Sequence, residues 1–185
     1  MSAMFYEGVV MKKLLISSIL IAASSSFVAH AESEKPDRVN IEWEDPKSYT
    51  DVRPSNQSRK RFRESTFNRI EKHLEKLALK LPDGQTLKMT VTDLDLAGHV
   101  WPGHIAGLDS TSEVRIIKRI DIPRVDFSYQ LMDASGAVLK EGEEKLKDMN
   151  FQEHGTNRFS DDALRYEKNM LTDWFKNTFE LKQKK

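Results

Sequence analysis

The chain has 185 residues, 38% of them hydrophobic and 31% charged, enough for one domain with a modest core and too few for two ordinary ones. Lys plus Arg and Asp plus Glu both number 29, so no basic excess draws the chain toward nucleic acid. With no cysteine it forms no disulfide, no thiolate metal site and no cysteine nucleophile.

Lys12 and Lys13 precede an apolar run over residues 14–23, and a small-residue stretch ends in Ala29-His30-Ala31. A basic start, a short apolar centre and an A-x-A site read as a cleavable secretory signal peptide over residues 1–31, with Met11 as an alternative start. The apolar run of about ten residues is half the roughly twenty that span a bilayer. No cysteine follows it, so a lipid anchor is not expected. The mature protein is expected to be periplasmic, to begin near Glu32, and to carry a flexible polar leader over residues 32–38.

Val39, Ile41 and Trp43 alternate with Asn40 and Glu42, the period of a half-buried strand, and Asp45-Pro46 stops it. Residues 47–54 read as a loop in which Tyr49 and Val52 cover the core. From about Ser55 the period changes. Phe62, Ile70, Leu74, Leu77, Ala78 and Leu81 form one stripe of an amphipathic helix, capped by Ser55 or Asn56 and ended by Pro82-Asp83-Gly84. Near its start "RKRFR", with Arg59, Lys60, Arg61 and Arg63, opposes the helix dipole. Read blandly it is a solvated face paired with acids such as Glu64; read functionally it contacts an anionic surface such as a lipid headgroup or an envelope polymer. His73, beside the apolar stripe, reads as a partly buried helix residue rather than a base.

Leu87, Met89 and Val91 give the next strand, after which the phase breaks. Asp93 and Asp95 take the face of the preceding apolar residues while Leu94 and Leu96 take the other, which a bulge or a strand leaving its sheet would cause. Residues 114–120 are a third candidate strand, with residues 121–123 as its exit. Val125, Phe127, Tyr129 and Leu131 alternate cleanly, and Asp133-Ala134-Ser135-Gly136 turns the chain back into a partner strand over residues 137–146. Residues 147–157 are loop. Ser160, followed by Asp161 and Asp162, then caps a helix carrying Leu164, Leu171, Trp174, Phe175 and Phe179, with a basic tail "KQKK" at its end. Amphipathic helices must pack on something, and a sheet with one covered face is the economical solution. The expected fold is therefore a two-layer α+β domain over residues 39–181. It has a mostly antiparallel sheet of about four or five strands, two helices on one face, and the order βαβββα.

The stretch "VTDLDLAGHVWPGH" concentrates the candidate chemistry. Asp93 and Asp95 at i and i+2 of a strand point the same way, and with His99 or His104 folded back through Gly98 and Gly103 they would offer oxygen and nitrogen ligands to a divalent metal. Nothing in the spacing demands that geometry, and aspartates are common at strand ends because they bond their own backbone. Trp101 offers an aromatic contact for a ligand or partner, or folds down onto the core. His154 has no obvious partner nearby in sequence. No Gly-x-Ser-x-Gly elbow and no phosphate-binding glycine loop occurs, and Glu141, Glu143 and Glu144 among lysines read as a solvated strand face. No cofactor is expected.

The segments "VNIEWEDPKSYTDV", "LPDGQTLKMTVTDLDLAG", "DIPRVDFSYQLMDASGAVLKEGEEKLKDMNF" and "YEKNMLTDWF" together resemble a bacterial secreted family catalogued only as domain of unknown function 3016. The resemblance runs from Val39 to Phe179. It implies an exported protein of Gram-negative bacteria with no established activity, cofactor or catalytic residues. The matching pattern includes the run from Asp93 to Gly98 and the pair Pro123-Arg124. His99 and His104 depart from it, which weakens a metal mechanism built on them. The element order also looks like small periplasmic domains that assist envelope transport, an analogy of fold alone. The leading expectation is a non-catalytic module that binds a periplasmic protein or envelope component through Asp93, Asp95, Trp101 and Arg124. A metal-dependent hydrolase using Asp93, Asp95, His99 and His104 is the alternative. A surface binder using the Arg59–Arg63 cluster is a third.

Overall fold

The computed structural model of the protein describes residues 38–109, 111–153 and 161–180. The expected signal peptide, most of the leader, His154, the expected cap Ser160 and the basic tail lie outside the described residues. The elements run β1 (Val39–Trp43), α1 (Arg59–Ala78), β2 (Thr86–Asp95), β3 (His99–Pro102), β4 (Glu113–Ile116), β5 (Arg124–Met132), β6 (Val138–Lys147) and α2 (Arg165–Thr178).

A four-stranded sheet in the order β1-β2-β5-β6 carries both helices on one face, the α+β architecture expected from the sequence. β1 and β2 pair in parallel, with Ile41 opposite Met89, and α1 is the crossover that parallel neighbours require. The other two ladders are antiparallel. Trp43 fixes α1 to the sheet edge. Its ring stacks on Phe67 at 4.0 Å between centroids, and its Nε1 donates to Glu71 Oε1 at 2.7 Å. Leu74, Leu77, Leu87, Met89, Leu171 and Phe175 are all buried between the layers. Each such side chain contributes about 1.5–3 kcal/mol over an exposed position. Trp174 packs edge-on against Phe127 and Tyr129, with centroids 4.7 and 5.3 Å away, which seats α2 over the antiparallel half of the sheet.

The phase break after Val91 is a bulge at Thr92. The β2–β5 register jumps between Val91 and Asp93, so Leu94 pairs with Val125 inside the core while Asp93 and Asp95 pair with Asp126 and Arg124. One extra residue thus keeps the leucine buried and turns both aspartates away from the helices.

Two boundaries differ from the sequence reading. Helix α1 starts at Arg59 rather than near Ser55, with Ser58 as an N-cap whose side chain makes no capping bond. The stretch after Asp95, given no element by its sequence pattern, contains β3, which pairs with β4 as a separate two-stranded ribbon. The expected strand over residues 114–120 is therefore only Glu113–Ile116 and does not join the main sheet. Gly98, at φ +81°, makes the entry to this ribbon, because a Cβ there would lie 2.6 Å from the Ile116 carbonyl oxygen. The turn between β5 and β6 follows expectation. Asp133 Oδ1 accepts from Ser135 N, Ser135 Oγ and Ala137 N, and Gly136 takes φ +85°. These bonds also hold the Asp133 carboxyl below its ordinary range. Among the described residues no helix is long and apolar enough to cross a membrane.

Candidate functional site

Asp93 and Asp95 are partnered one by one rather than as a cluster. Asp93 Oδ1 accepts from the backbone amides of Thr50 at 2.7 Å and Leu94 at 2.8 Å, and its Oδ2 accepts from Thr50 Oγ1 at 2.6 Å. It staples the 47–53 segment to the bulge. Asp95 accepts from Arg124 Nη1 at 2.7 Å. Burial pushes the Asp95 carboxyl up, opposed by the Arg124 guanidinium beside it. Trp101 lies half-buried in β3, with Lys118 Nζ 4.5 Å from its ring centroid and the His99 ring edge-on at 5.9 Å. His104 is exposed in the turn after β3. Among the described residues no three His, Asp or Glu side chains meet where a metal ion would need them. Asp93 and Asp95 share a face of β2, yet each is spent on a different partner, and His99 instead lies 3.7 Å from Asp51.

Asp51 and Arg115 went unremarked in the sequence and organise this end of the molecule. Asp51 is buried and bridges β2 through its own backbone, with Leu96 N donating to Asp51 O at 3.1 Å. Its carboxylate takes both terminal nitrogens of Arg115, at 3.1 and 3.3 Å. The same guanidinium donates to the carbonyls of Gly98 and Arg53, each at 2.8 Å. One fork of donors thus ties the loop, the turn after β2 and the ribbon together, the geometry that arginine supplies and lysine does not. Glu167, fully buried in the first turn of α2, accepts at 2.7 Å from the backbone amide of Ala97, in the turn between β2 and β3. Burial drives its carboxyl pKa upward. A lone Asp in a loop and an Arg among β-branched residues gave no periodic signal, so only the folded chain reveals this pair.

Above the Asp51–Arg115 pair opens a cleft of about 240 Å³. Its walls carry Lys47, Arg53, Arg59, Arg63 and His99, and its floor Tyr49, Thr50 and Asp51. Arg59 and Arg63 stand one helical turn apart on α1, so both reach the same cleft. Arg53 pairs with Glu113 at 2.8 Å, whereas Lys47, Arg59 and Arg63 form no ion pair with any described residue. Of the other cluster members, Lys60 lies 3.8 Å from Glu64 and neither it nor Arg61 lines the cleft. The first turn of α1 holds no acidic residue to answer this charge. Asp51, the one carboxylate of the lining, is neutralised by Arg115. The cleft is therefore a cationic pocket built from three separate segments. A wider depression of about 430 Å³ on the open sheet face sets Lys88 against Glu141 and Glu143 and carries no such bias.

A family model described as a protein of unknown function (DUF3016) matches residues 37–177, well over half of the chain. No curated protein matches the chain, and no solved structure matches it.

Proposed function

The chain belongs to the DUF3016 family of proteins of unknown function, and from that premise we propose that it is an exported, non-catalytic binding module of the cell envelope whose cleft holds an anionic group. The observation that supports this reading is the convergence of Lys47, Arg53, Arg59, Arg63 and His99 on one cleft whose acid is already paired. Guanidinium forks match the planar oxygens of phosphate and carboxylate, and charge-assisted bonds to them are roughly twice as strong as neutral ones. Cations facing one cleft repel one another, so a wall of this kind gains by an anion entering it. Cleavage after Ala31 would deliver the cleft to the compartment where envelope phosphates lie.

The test is co-sedimentation of the chain from residue 32 with phosphatidylglycerol vesicles, against phosphatidylcholine vesicles as control. Binding is expected to the anionic vesicles only and to be lost on raising salt to about 0.3 M, where screening shortens to under about 8 Å. The Arg59→Glu, Arg63→Glu double variant should bind at least about tenfold more weakly, whereas Arg61→Glu should change little. Competition by inorganic pyrophosphate would identify the phosphate group itself as the recognised element. Binding that persists at high salt, or an Arg61→Glu loss equal to that of the double variant, overturns the reading. The protein recovered from a periplasmic extract is expected to begin at Glu32.

A further inference from the structure

β6 is the outer strand of the main sheet, and among the described residues no strand pairs with its free edge. It is ten residues long, which makes it a template for another strand unless something discourages pairing. Scattered charge is the usual deterrent. On β6 the charge is ordered instead. The ladder to β5 places Glu141, Glu143, Lys145 and Lys147 on the open face, opposite Gln130, Ser128, Asp126 and Arg124. The row reads two acids, then two bases.

Such a row is complementary to itself when reversed. Two copies related by a two-fold axis normal to the sheet would join β6 to β6 antiparallel, with both pairs of helices on the same side. That symmetry places residues of the same face opposite each other, so the axis must pass through a residue rather than between two. Axes through residues 141, 143 and 145 each set a charged residue against itself on the open face. An axis through Gly142 sets Glu141 against Glu143, and one through Leu146 sets Lys145 against Lys147. Among the axes through residues 141 to 146, the one through Glu144 alone leaves no like pair there. It sets Glu141 against Lys147 and Glu143 against Lys145, each twice. On the helix face it sets Gly142 against Leu146, and Glu144 against itself, which is the one like-charge contact. The exposed Leu139 of one copy comes alongside the segment carrying the exposed Met149 of the other.

We propose that β6 is a self-recognition edge through which two copies of this chain form a continuous eight-stranded sheet centred on Glu144. Cross-strand pairs of opposite charge stabilise such a ladder, and like pairs oppose it.

The experiment measures oligomeric state by sedimentation velocity at low salt for wild type and two charge-reversed variants. The Lys145→Glu, Lys147→Glu variant has a wholly acidic row, and the Glu141→Lys, Glu143→Lys variant a wholly basic one. Wild type should dimerise, each variant alone should dissociate at least about tenfold more readily, and an equimolar mixture should dimerise again. Recovery in the mixture also shows that both variants are folded. A monomeric wild type at about 0.1 mM, or a dimer that neither reversal weakens, rejects the proposal. The register is tested separately in a chain that has no native cysteine. Glu144→Cys should cross-link to itself on mild oxidation. Lys140→Cys should not, since its two copies would stand roughly 27 Å apart along the ladder. Cross-linking of the second variant alone also rejects it.

Discussion

His73 is a buried histidine held between the two helices. It lies on α1 facing α2, and its Nε2 is 2.8 Å from Thr172 Oγ1 and 3.1 Å from the Lys168 carbonyl oxygen. The Thr172 hydroxyl donates to that same carbonyl at 2.6 Å, so its oxygen accepts from an Nε2–H of the imidazole. Burial, reinforced by the neighbouring Lys168 charge, lowers the His73 pKa from 6.5 to about 4. Asp162 and the Lys168 carbonyl pull the other way and lose; Lys76 adds to the lowering. The unfolded chain then binds more protons at this site than the folded one. Stability from this residue is complete above the unfolded value, falls as pH drops through it, and levels off below the folded value. The loss is about 2 kcal/mol between neutral pH and about pH 5, and about 3 kcal/mol below about pH 4. His73→Gln keeps an amide donor for Thr172 and cannot charge. Urea unfolding followed by tryptophan fluorescence should show wild type losing about 2 kcal/mol more than His73→Gln over that interval. Equal losses in the two proteins would refute the buried neutral imidazole.

Two further changes probe the packed end of the molecule. Glu167 is the opposite case to His73, a carboxyl raised by burial, so its contribution is complete at acid pH and fades as pH climbs through the raised value. Thermal melts of Glu167→Gln against wild type should therefore shift in the variant's favour from about pH 5 to about pH 8, and a constant gap would show that folding does not raise the acid's pKa. Gly98→Ala combines a positive φ with a Cβ 2.6 Å from the Ile116 oxygen and should cost about 2–4 kcal/mol. Gly107→Ala shares a positive φ of 76° but meets nothing within 4 Å, and should cost only about 1–2 kcal/mol in the same denaturation assay. Equal costs would mean that the close approach to β4 relaxes freely.

Much of this fold is legible in the chain because alternation and helical stripes report which side of an element avoids water. Val39, Ile41 and Trp43, the apolar stripe of α1 and the β5–β6 hairpin all stand where their periodicity puts them. Even the bulge at Thr92 announces itself, since no regular strand buries Met89, Val91, Leu94 and Leu96 together. Periodicity is silent about what a face meets. The β1–β2 pairing is parallel because α1 must cross back over the sheet, a decision no window of a few residues contains. Asp51 finds Arg115 from 64 positions away, and Arg59 and Arg63 meet Lys47, Arg53 and His99 only when loop, helix and ribbon close on one another. The aspartates that stand out in the sequence each bond a neighbouring segment, while the cationic cleft joins Arg59 and Arg63 of the basic run and His99 to Lys47 and Arg53, which carry no signal of their own. Burial is a property of a segment and its pattern, so the sequence determined it. Convergence of charge depends on distances between segments, and those exist only in the folded chain.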